Sequence, residues 1–236
     1  MTKSDQMTVD RTTTAGQAIV AVAGNPNCGK TTVFNGLTGS NQRIGNWPGV
    51  TVEKKEGFGT VGENQAKFVD LPGIYSLSAF SEDERIARDY LLEGEADLVV
   101  NIVDADNLER NLYLTTNLIE MEVPLLVVLN MMDVVKKKKV EIDVDRISAE
   151  LGVPVIAVSA VNPFDIAEIR GAVRKALADP DRPSARIDYT NEVEEKIDAW
   201  MPALKSAAYS IGINERWLAV KLLESDPSIT DRVMKS

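Results

Sequence analysis

The stretch Gly24-Asn-Pro-Asn-Cys-Gly-Lys-Thr31 decides the fold of this chain of 236 residues. It matches the phosphate-binding pattern G-x-x-x-x-G-K-[ST] at every fixed position. An apolar run at 18–23 precedes it and a helical pattern at 30–38 follows it. In that setting glycines let the backbone wrap around phosphates, and the N–H groups of a helix N-terminus favour their negative charge. The stretch therefore predicts a P-loop nucleotide-binding fold.

Around this loop, short β-branched runs alternate with amphipathic stretches, a pattern typical of an α/β fold with a mostly parallel sheet. Residues 99–103 and 125–129 of two predicted strands are apolar except for Asn101, rather than alternating, as expected when helices cover both faces of a sheet. The full set of six predicted strands is 18–23, 50–58, 66–70, 98–103, 125–130 and 154–159. Flanking helices are predicted at 30–38, 82–92, 107–121 and 143–151.

The pattern changes near residues 179–183, where two prolines lie in a polar stretch typical of a linker. No strand-like run follows. Helical patterns occupy 191–200, 202–211, 214–223 and 226–234. Pro202 and Pro227 lie near two of these predicted helix starts, where a missing N–H is harmless. We therefore predict a mobile tail at 1–17, an α/β domain at 18–180 and a small all-helical domain at 181–236.

Composition excludes several classes of function. The chain carries 26 Lys and Arg against 36 Asp and Glu, a formal net charge of −10, which argues against a nucleic-acid partner. It contains no histidine, so a His-ligated zinc site and a Ser-His-Asp triad are excluded. Cys28 is the single cysteine, so there is no internal disulfide. No apolar run reaches the roughly 18 residues of a membrane span.

Three further motifs extend the phosphate loop into a nucleotide site. Asp70-Leu-Pro-Gly73 ends a predicted strand, where the aspartate can hold Mg²⁺ through water and the Gly73 N–H can sense the γ-phosphate. Asn130-Met-Met-Asp133 is similar to the guanine-specifying N-K-x-D motif, whose aspartate accepts hydrogen bonds from guanine. Met131 stands in place of the lysine, which leaves ATP open as an alternative nucleotide. Ser159-Ala160 resembles the short loop that closes over guanine.

These motifs in this order resemble the translation-factor class of small GTPases, and neighbouring residues narrow the resemblance. The stretch from Asn41 to Glu53, with Asn46-Trp-Pro-Gly-Val-Thr51 inside it, and the stretch Asp70 to Ser78 resemble the cytosolic G domain of the FeoB family of bacterial ferrous iron transport proteins. The helical end resembles the spacer that joins this G domain to a membrane-spanning part. The resemblance implies the soluble N-terminal portion of a longer protein at the cytoplasmic face of the inner membrane.

The resemblance also implies roles for individual residues. Lys30 would reach the phosphates, Thr31, Thr51 and Asp70 would hold Mg²⁺, and Asn27 would coordinate K⁺ beside the β- and γ-phosphates. Catalysis would rest on Asn27, Lys30, Thr51 and Gly73. The residues expected to bind GTP or GDP are Gly24, Asn25, Pro26, Asn27, Cys28, Gly29, Lys30, Thr31, Thr32, Gly49, Val50, Thr51, Val52, Glu53, Asp70, Leu71, Pro72, Gly73, Asn130, Met131, Met132, Asp133, Ser159, Ala160 and Val161.

Directly after Gly73, where Ras-like enzymes carry a water-orienting glutamine, this chain has Ile74. An aliphatic side chain cannot orient water by hydrogen bonding, so we expect slow hydrolysis. The K⁺ role of Asn27 that the resemblance implies predicts that potassium stimulates it. The expected partners are GTP, the permease part of the same protein, small Feo accessory proteins and a second copy of the chain. Two alternatives remain open: a promiscuous NTPase, and a regulatory module in which GTP occupancy alone gates the permease. A standalone GTPase of RNA maturation is disfavoured by the acidic charge.

Four side chains have predicted environments that a structure can test. The motif around Trp47 predicts an exposed ring that covers the nucleotide or docks on a neighbour. Trp200 and Trp217 lie in helical apolar patterns and are predicted to be core. Cys28 is interpreted as a small packing residue; the alternative is a reactive thiol whose pKa the helix N-terminus lowers.

Overall fold

The computed structural model describes residues 17–180 and 183–235, which form a sheet flanked by helices and a helical unit packed at one end. The strands are β1 (Ala18–Gly24), β2 (Gln42–Asn46), β3 (Glu53–Val61), β4 (Asn64–Asp70), β5 (Leu98–Asp104), β6 (Leu125–Asn130) and β7 (Val155–Ala157). The helices are α1 (Lys30–Thr38), α2 (Glu82–Glu93), α3 (Leu108–Glu120), α4 (Met132–Lys137), α5 (Val144–Leu151), α6 (Pro163–Ala178), α7 (Asn191–Ile211), α8 (Glu215–Leu223) and α9 (Pro227–Met234).

The strand order is β2-β3-β4-β1-β5-β6-β7, with β4, β1, β5, β6 and β7 parallel and the β2-β3 hairpin antiparallel at one edge. Strand β1 lies between β4 and β5. Strands β2 to β4 lie on one side of β1 and strands β5 to β7 on the other, so the direction in which strands are added reverses at β1. In open α/β sheets, ligands bind outside the carboxyl ends of the strands at such a switch point. The topology thus places the phosphate loop, which follows β1, at this position.

Successive residues of the central strands face opposite sides of the sheet and build two separate cores. Val20 and Val22 of β1 pack with α1 and α6, whereas Ala21 and Ala23 pack with α2, α3 and α4. The apolar runs in β5 and β6 divide between the two cores in the same way. The predicted mostly parallel α/β fold with both faces covered is confirmed.

Across residues 17–180 and 183–235 the sheet has seven strands rather than the predicted six. The additional strand, β2, is polar and exposed at the sheet edge, so it carries no apolar alternation that sequence reasoning could detect. The strand predicted at 50–58 begins instead at Glu53, because residues 47–52 form the turn between β2 and β3.

The helical unit packs α7, α8 and α9 around Trp217, Leu218 and Ile229, all buried. The prediction of two helices at 191–200 and 202–211 was wrong, since α7 continues through Pro202. Ile197 before the proline and Ala208 after it are both buried, so packing holds the two halves in line. Pro227 does lie in the first turn of α9, as predicted.

Sixteen of the residues in the predicted tail, 1–16, and residues 181–182 of the predicted linker lie outside the described residues. Within the two described ranges, no helix is both long and apolar enough to cross a membrane.

Candidate functional site

The phosphate loop is shaped by two residues with left-handed backbone conformations. Gly29 has a φ of 90° and Asn27 a φ of 67°. A side chain at position 29 would collide with the amide of Asn130, so glycine is required there by space as well as by conformation. The Val33 N–H donates to the Gly29 carbonyl and starts α1 directly after the loop. The backbone thus has the bent path and the helix N-terminus on which phosphate binding by such loops depends.

Cys28 is buried within this loop, with 1% of its surface exposed. Burial raises the pKa of its thiol to about 11, and the partly compensating influence of the Lys30 backbone N–H and charge does not offset it. The sulfur also lies where a Cβ on Gly24 would clash. The structure supports the packing interpretation of Cys28 and contradicts a lowered thiol pKa.

The two charged groups expected to meet the phosphates and a metal ion lie together. The Lys30 ammonium, at the start of α1, donates to the Asp70 carboxylate at the end of β4. Both side chains are close to nine-tenths buried. The segment after Asp70 is tied to the phosphate loop, since the Ile74 N–H donates to the Gly24 carbonyl at 3.2 Å and Gly73 packs against Pro26. The structure therefore brings the first two predicted motifs into one site.

Asn130 links the phosphate loop to the loop after β7. Its amide nitrogen donates to the Cys28 carbonyl at 2.9 Å, and its amide oxygen accepts from the Ala160 N–H at 2.9 Å. Because Asn130 is 4% exposed, these hydrogen bonds are shielded from water. The Asn130 side chain thus fixes the phosphate loop and the loop after β7 relative to the end of β6, where the base-binding loop begins.

The residues expected to surround the base lie beside this link. The Asp133 N–H donates to the Ser159 hydroxyl at 2.9 Å, while about 42% of the Asp133 side chain stays exposed. Met131 has a φ of 66°, which turns the chain from β6 into α4. Ala160 is buried, whereas Val161 is 79% exposed. The Asp133 carboxylate is consequently accessible for hydrogen bonds from a ligand.

The predicted metal-binding residue Thr51 is not brought to this site. It lies exposed in the turn between β2 and β3, together with Gly49, whose φ is 77°. Lys55 pairs with Asp70 in the β3-β4 register, and Thr51 precedes Lys55 by four residues, a path of up to about 13 Å at about 3.3 Å per residue. Among the described residues, no hydrogen bond joins Thr51 to the phosphate loop or to Asp70.

The rest of this turn lies against the protein core. Val50 and Val52 pack against the core cluster under α2, and Glu53 pairs with Lys55 at the start of β3. Trp47 was predicted to be exposed, and that prediction was wrong: 6% of it is exposed, because its ring packs on Tyr90 of α2. The prediction for Trp200 was also wrong, since it is 41% exposed on α7, whereas core burial of Trp217 is confirmed.

Helix α2 connects the site to the helical unit. Ser81 and Glu84 form the capping box that opens the helix. Arg88 in its middle is fully buried and donates to the Asp226 carboxylate at 2.5 Å and to the Ser228 hydroxyl, both at the start of α9. Sequence reasoning missed Arg88. An arginine between the buried residues Ala87 and Leu91 was the available signal, because a charge on an apolar helix face needs a partner.

Residues 136–139 are four consecutive lysines, a pattern typical of a solvated loop. Lys136 and Lys137 instead form the last turn of α4, and Lys138 pairs with Asp106 at 2.6 Å. All four lysines are exposed, as the interpretation required.

The fold and this site together define a P-loop nucleotide-binding protein with the loop arrangement of the GTPase class. The chain belongs to the FeoB family: residues 18–173 match the family model "Ferrous iron transport protein B", and residues 189–236 match the model "FeoB cytosolic helical domain".

Individual relatives agree with this membership. The Fe(2+) transporter FeoB of Escherichia coli K12 is 43% identical over 212 residues, which cover 88% of this chain and 27% of that protein. The chain thus spans about a quarter of the length of the curated relatives it matches. The cytosolic domain of the T. maritima FeoB iron transporter is similar in its GDP form and in its GMPPNP form, each with a TM-score of 0.86, 39% identity and 93% of this chain covered. These matches cover 85% and 86% of the two solved chains.

Proposed function

We propose that this chain binds GTP and hydrolyses it to GDP and phosphate. The observation that carries the proposal is the contact between Lys30 and Asp70. It lies directly beside the phosphate loop, whose backbone takes left-handed conformations at Asn27 and Gly29. In such sites the lysine binds the β- and γ-phosphates, and the loop N–H groups surround them. The accessible carboxylate of Asp133 would select guanine, because it can accept hydrogen bonds from N1 and the exocyclic amine.

The oxygen-rich donor set fits Mg²⁺, which prefers hydroxyl and carboxylate ligands. Thr31 at the first turn of α1 and Asp70 at the end of β4 would hold the ion, with Thr51 joining them once the turn closes. When bound, Mg²⁺ neutralises charge on the β- and γ-phosphate oxygens. Nucleotide binding would then separate Lys30 from Asp70, so that the lysine turns to the phosphates and the aspartate to the metal shell.

Asn27 is the candidate ligand for K⁺. Its left-handed φ of 67° and its exposed side chain allow the amide oxygen to reach a cation beside the phosphates. Bound K⁺ would supply positive charge where an arginine finger supplies it in other GTPases.

Slow hydrolysis is expected because the position after Gly73 cannot orient water. Ile74 is 2% exposed and packs in the core beneath α2, so its side chain points away from solvent. The attacking water would be held by backbone groups such as the Gly73 N–H.

For the whole protein we propose ferrous iron transport, in which the nucleotide state of the G domain at 18–180 acts on the permease through the helical spacer at 181–236. The buried Arg88–Asp226 pair supports this direction of coupling, since α2 follows the Asp70 segment directly. The protein would act at the cytoplasmic face of a bacterial inner membrane. Its partners would be the membrane-spanning part, small Feo accessory proteins and a second copy of the chain.

Phosphate release from GTP and from ATP, each in K⁺ and in Na⁺ buffer, tests the chemistry. We expect turnover of GTP with Mg²⁺, faster in K⁺ than in Na⁺, and little turnover of ATP. Equal rates in the two salts would refute the role of K⁺. Absence of GTP turnover in both salts, with GTP still bound, would favour a module that gates the permease by occupancy alone, which Ile74 also favours.

A promiscuous NTPase is the second candidate, because Met131 replaces the lysine of the guanine motif. Competition of ATP against labelled GTP distinguishes the two. Displacement at similar concentrations of ATP and GTP would favour the promiscuous enzyme.

A further inference from the structure

An aromatic contact joins the turn between β2 and β3 to α2, in addition to the packing of Val50 and Val52 against the core. The rings of Trp47 and Tyr90 meet edge to face, with centroids 5.4 Å apart and an interplanar angle of 73°. The Lys54 ammonium lies 4.7 Å from the Trp47 ring centroid and 5.9 Å from that of Tyr90. Such aromatic and cation–π contacts are attractive beyond the area that they bury. We call this group of three side chains the aromatic clasp.

The clasp holds both rings in the interior but leaves their polar atoms unsatisfied. Trp47 is 6% exposed and Tyr90 is 4% exposed. Neither the Trp47 indole N–H nor the Tyr90 hydroxyl has a hydrogen-bond partner among the described residues. Buried polar groups without partners weaken the association that contains them. The clasp is therefore a contact that can open at a modest free-energy difference.

Trp47 and Thr51 belong to one closed turn. The Trp47 N–H donates to the Val52 carbonyl at 2.9 Å, and the Val50 N–H donates to the Trp47 carbonyl at 3.3 Å. The first of these bonds encloses Thr51, so its position follows that of Trp47. While the clasp holds Trp47 on α2, Thr51 remains exposed and unbonded to Asp70 or the phosphate loop within the described structure.

We propose that the aromatic clasp is a latch that keeps Thr51 withdrawn from the nucleotide and opens when a γ-phosphate is bound. The proposal rests on the proposed function and deepens it, because it makes Trp47 and Tyr90 positioning residues that decide between GTP-like and GDP-like ligands. GDP carries no γ-phosphate for Thr51 to approach, so its binding leaves the latch shut. A GTP analogue must open the latch, and part of its binding free energy is used for that step.

The latch also lies on the route to the helical unit. Tyr90 and the buried Arg88 are two residues apart on α2, and Arg88 pairs with Asp226 of the helical unit. Opening the latch would remove one of the side chains that hold α2, so the same event that brings in Thr51 would reach the helical unit.

Calorimetric titration with GMPPNP and with GDP tests the latch. Trp47→Ala and Tyr90→Ala remove opposite sides of it, so each should raise GMPPNP affinity about 3- to 10-fold while GDP affinity stays within about 2-fold. Combining the two substitutions should give no further gain, because the first already opens the latch. Trp200→Ala, which removes a half-exposed tryptophan of α7, is the matched control and should change neither affinity.

Tryptophan fluorescence of the wild-type protein provides a second readout that requires no latch variant to be stable. The spectrum of the wild type minus that of Trp47→Phe isolates Trp47. Without nucleotide and with GDP, this difference should show a shielded indole; with GMPPNP it should shift to the red and become accessible to acrylamide. An indole that stays shielded with GMPPNP would overturn the proposal.

Reduced or unchanged GMPPNP affinity in both alanine variants would also overturn the latch, since Trp47 would then contribute to the bound state. These results leave the proposed function standing, because they require nucleotide binding by the wild type. A wild type that binds neither nucleotide would instead refute the proposed function, and the latch with it.

Discussion

The phosphate and base loops differ from the turn that carries Thr51 in how they are held. Asn130 joins the former through two buried hydrogen bonds, and Lys30 and Asp70 face each other beside them. The turn is the tip of an exposed edge hairpin, held by the aromatic clasp and by partial packing of Val50 and Val52. The binding loops are therefore joined by buried hydrogen bonds, whereas the segment expected to sense the γ-phosphate is held by side-chain packing alone at the sheet edge.

The largest expected effect follows from removing the side chain of Asn130, which joins the phosphate and base loops. Asn130→Ala leaves the Cys28 carbonyl and the Ala160 N–H without their partner, so we expect the free energy of unfolding to fall by about 2–4 kcal/mol. Urea unfolding measures it. The matched control is Asn46→Ala in the exposed hairpin, where we expect a change within about 0.5 kcal/mol. Equal losses at the two positions would mean that the two regions are held alike.

Next in size is the loss of the phosphate-binding charge. Lys30→Ala should weaken GDP binding by about 100-fold, because a buried charge-assisted hydrogen bond to phosphate disappears. Lys67→Ala, which removes a half-buried lysine of β4 that pairs with Glu56, serves as the control and should leave GDP affinity unchanged. Calorimetry reports both affinities, and a Lys30→Ala protein that binds GDP normally would contradict the site.

A smaller effect concerns the thiol packed inside the phosphate loop. Because burial raises the pKa of Cys28 in the folded state to about 11, the neutral thiol stabilises the fold below its unfolded-state pKa, and that contribution is lost as the pH rises toward 11. Between pH 9 and 11 the wild type should lose about 2 kcal/mol more than Cys28→Ala. Urea unfolding at several pH values checks this. Parallel curves for the two proteins would contradict the shielded thiol.

Thiol labelling also compares the buried phosphate loop with the exposed turn that carries Thr51. At pH 8, Cys28 should react with iodoacetamide far more slowly than the exposed thiol of a Thr51→Cys protein that lacks Cys28. Similar rates would contradict the burial of Cys28 inside the phosphate loop.

The smallest expected effect concerns the base. Met131→Lys restores the usual residue of the guanine motif, and we expect GTP affinity to rise about 3- to 10-fold with ATP affinity unchanged, because the lysine stem packs beside the base. Competition binding with both nucleotides measures it. A parallel gain for ATP would point to general charge attraction instead of base recognition.

Much of the fold followed from local patterns. The phosphate loop, the apolar strands β5 and β6 and the capping box of α2 each carry a pattern that depends only on neighbouring residues. Strand β2 and the continuation of α7 through Pro202 could not be foreseen, because an exposed polar edge strand forms only by pairing with β3 and a helical proline persists only where packing holds both sides.

The candidate site divides in the same way. Its motifs were recognised because glycine, lysine and aspartate at fixed spacing have a local physical reason. Trp47 is buried against Tyr90, which lies 43 positions away in the sequence. The residues around either position therefore do not predict the contact with the other. The same holds for Arg88 and Asp226, which are 138 positions apart.

The sequence by itself determined that this chain carries a phosphate loop in an α/β fold followed by helices, because strand and helix periods and loop glycines are properties of short segments. Only the tertiary structure decided which loops are bonded to one another, where Thr51 lies, and that Cys28 and Trp47 are buried. These are contacts between distant parts of the chain, and their free energies depend on burial, which a residue acquires only once the chain has folded.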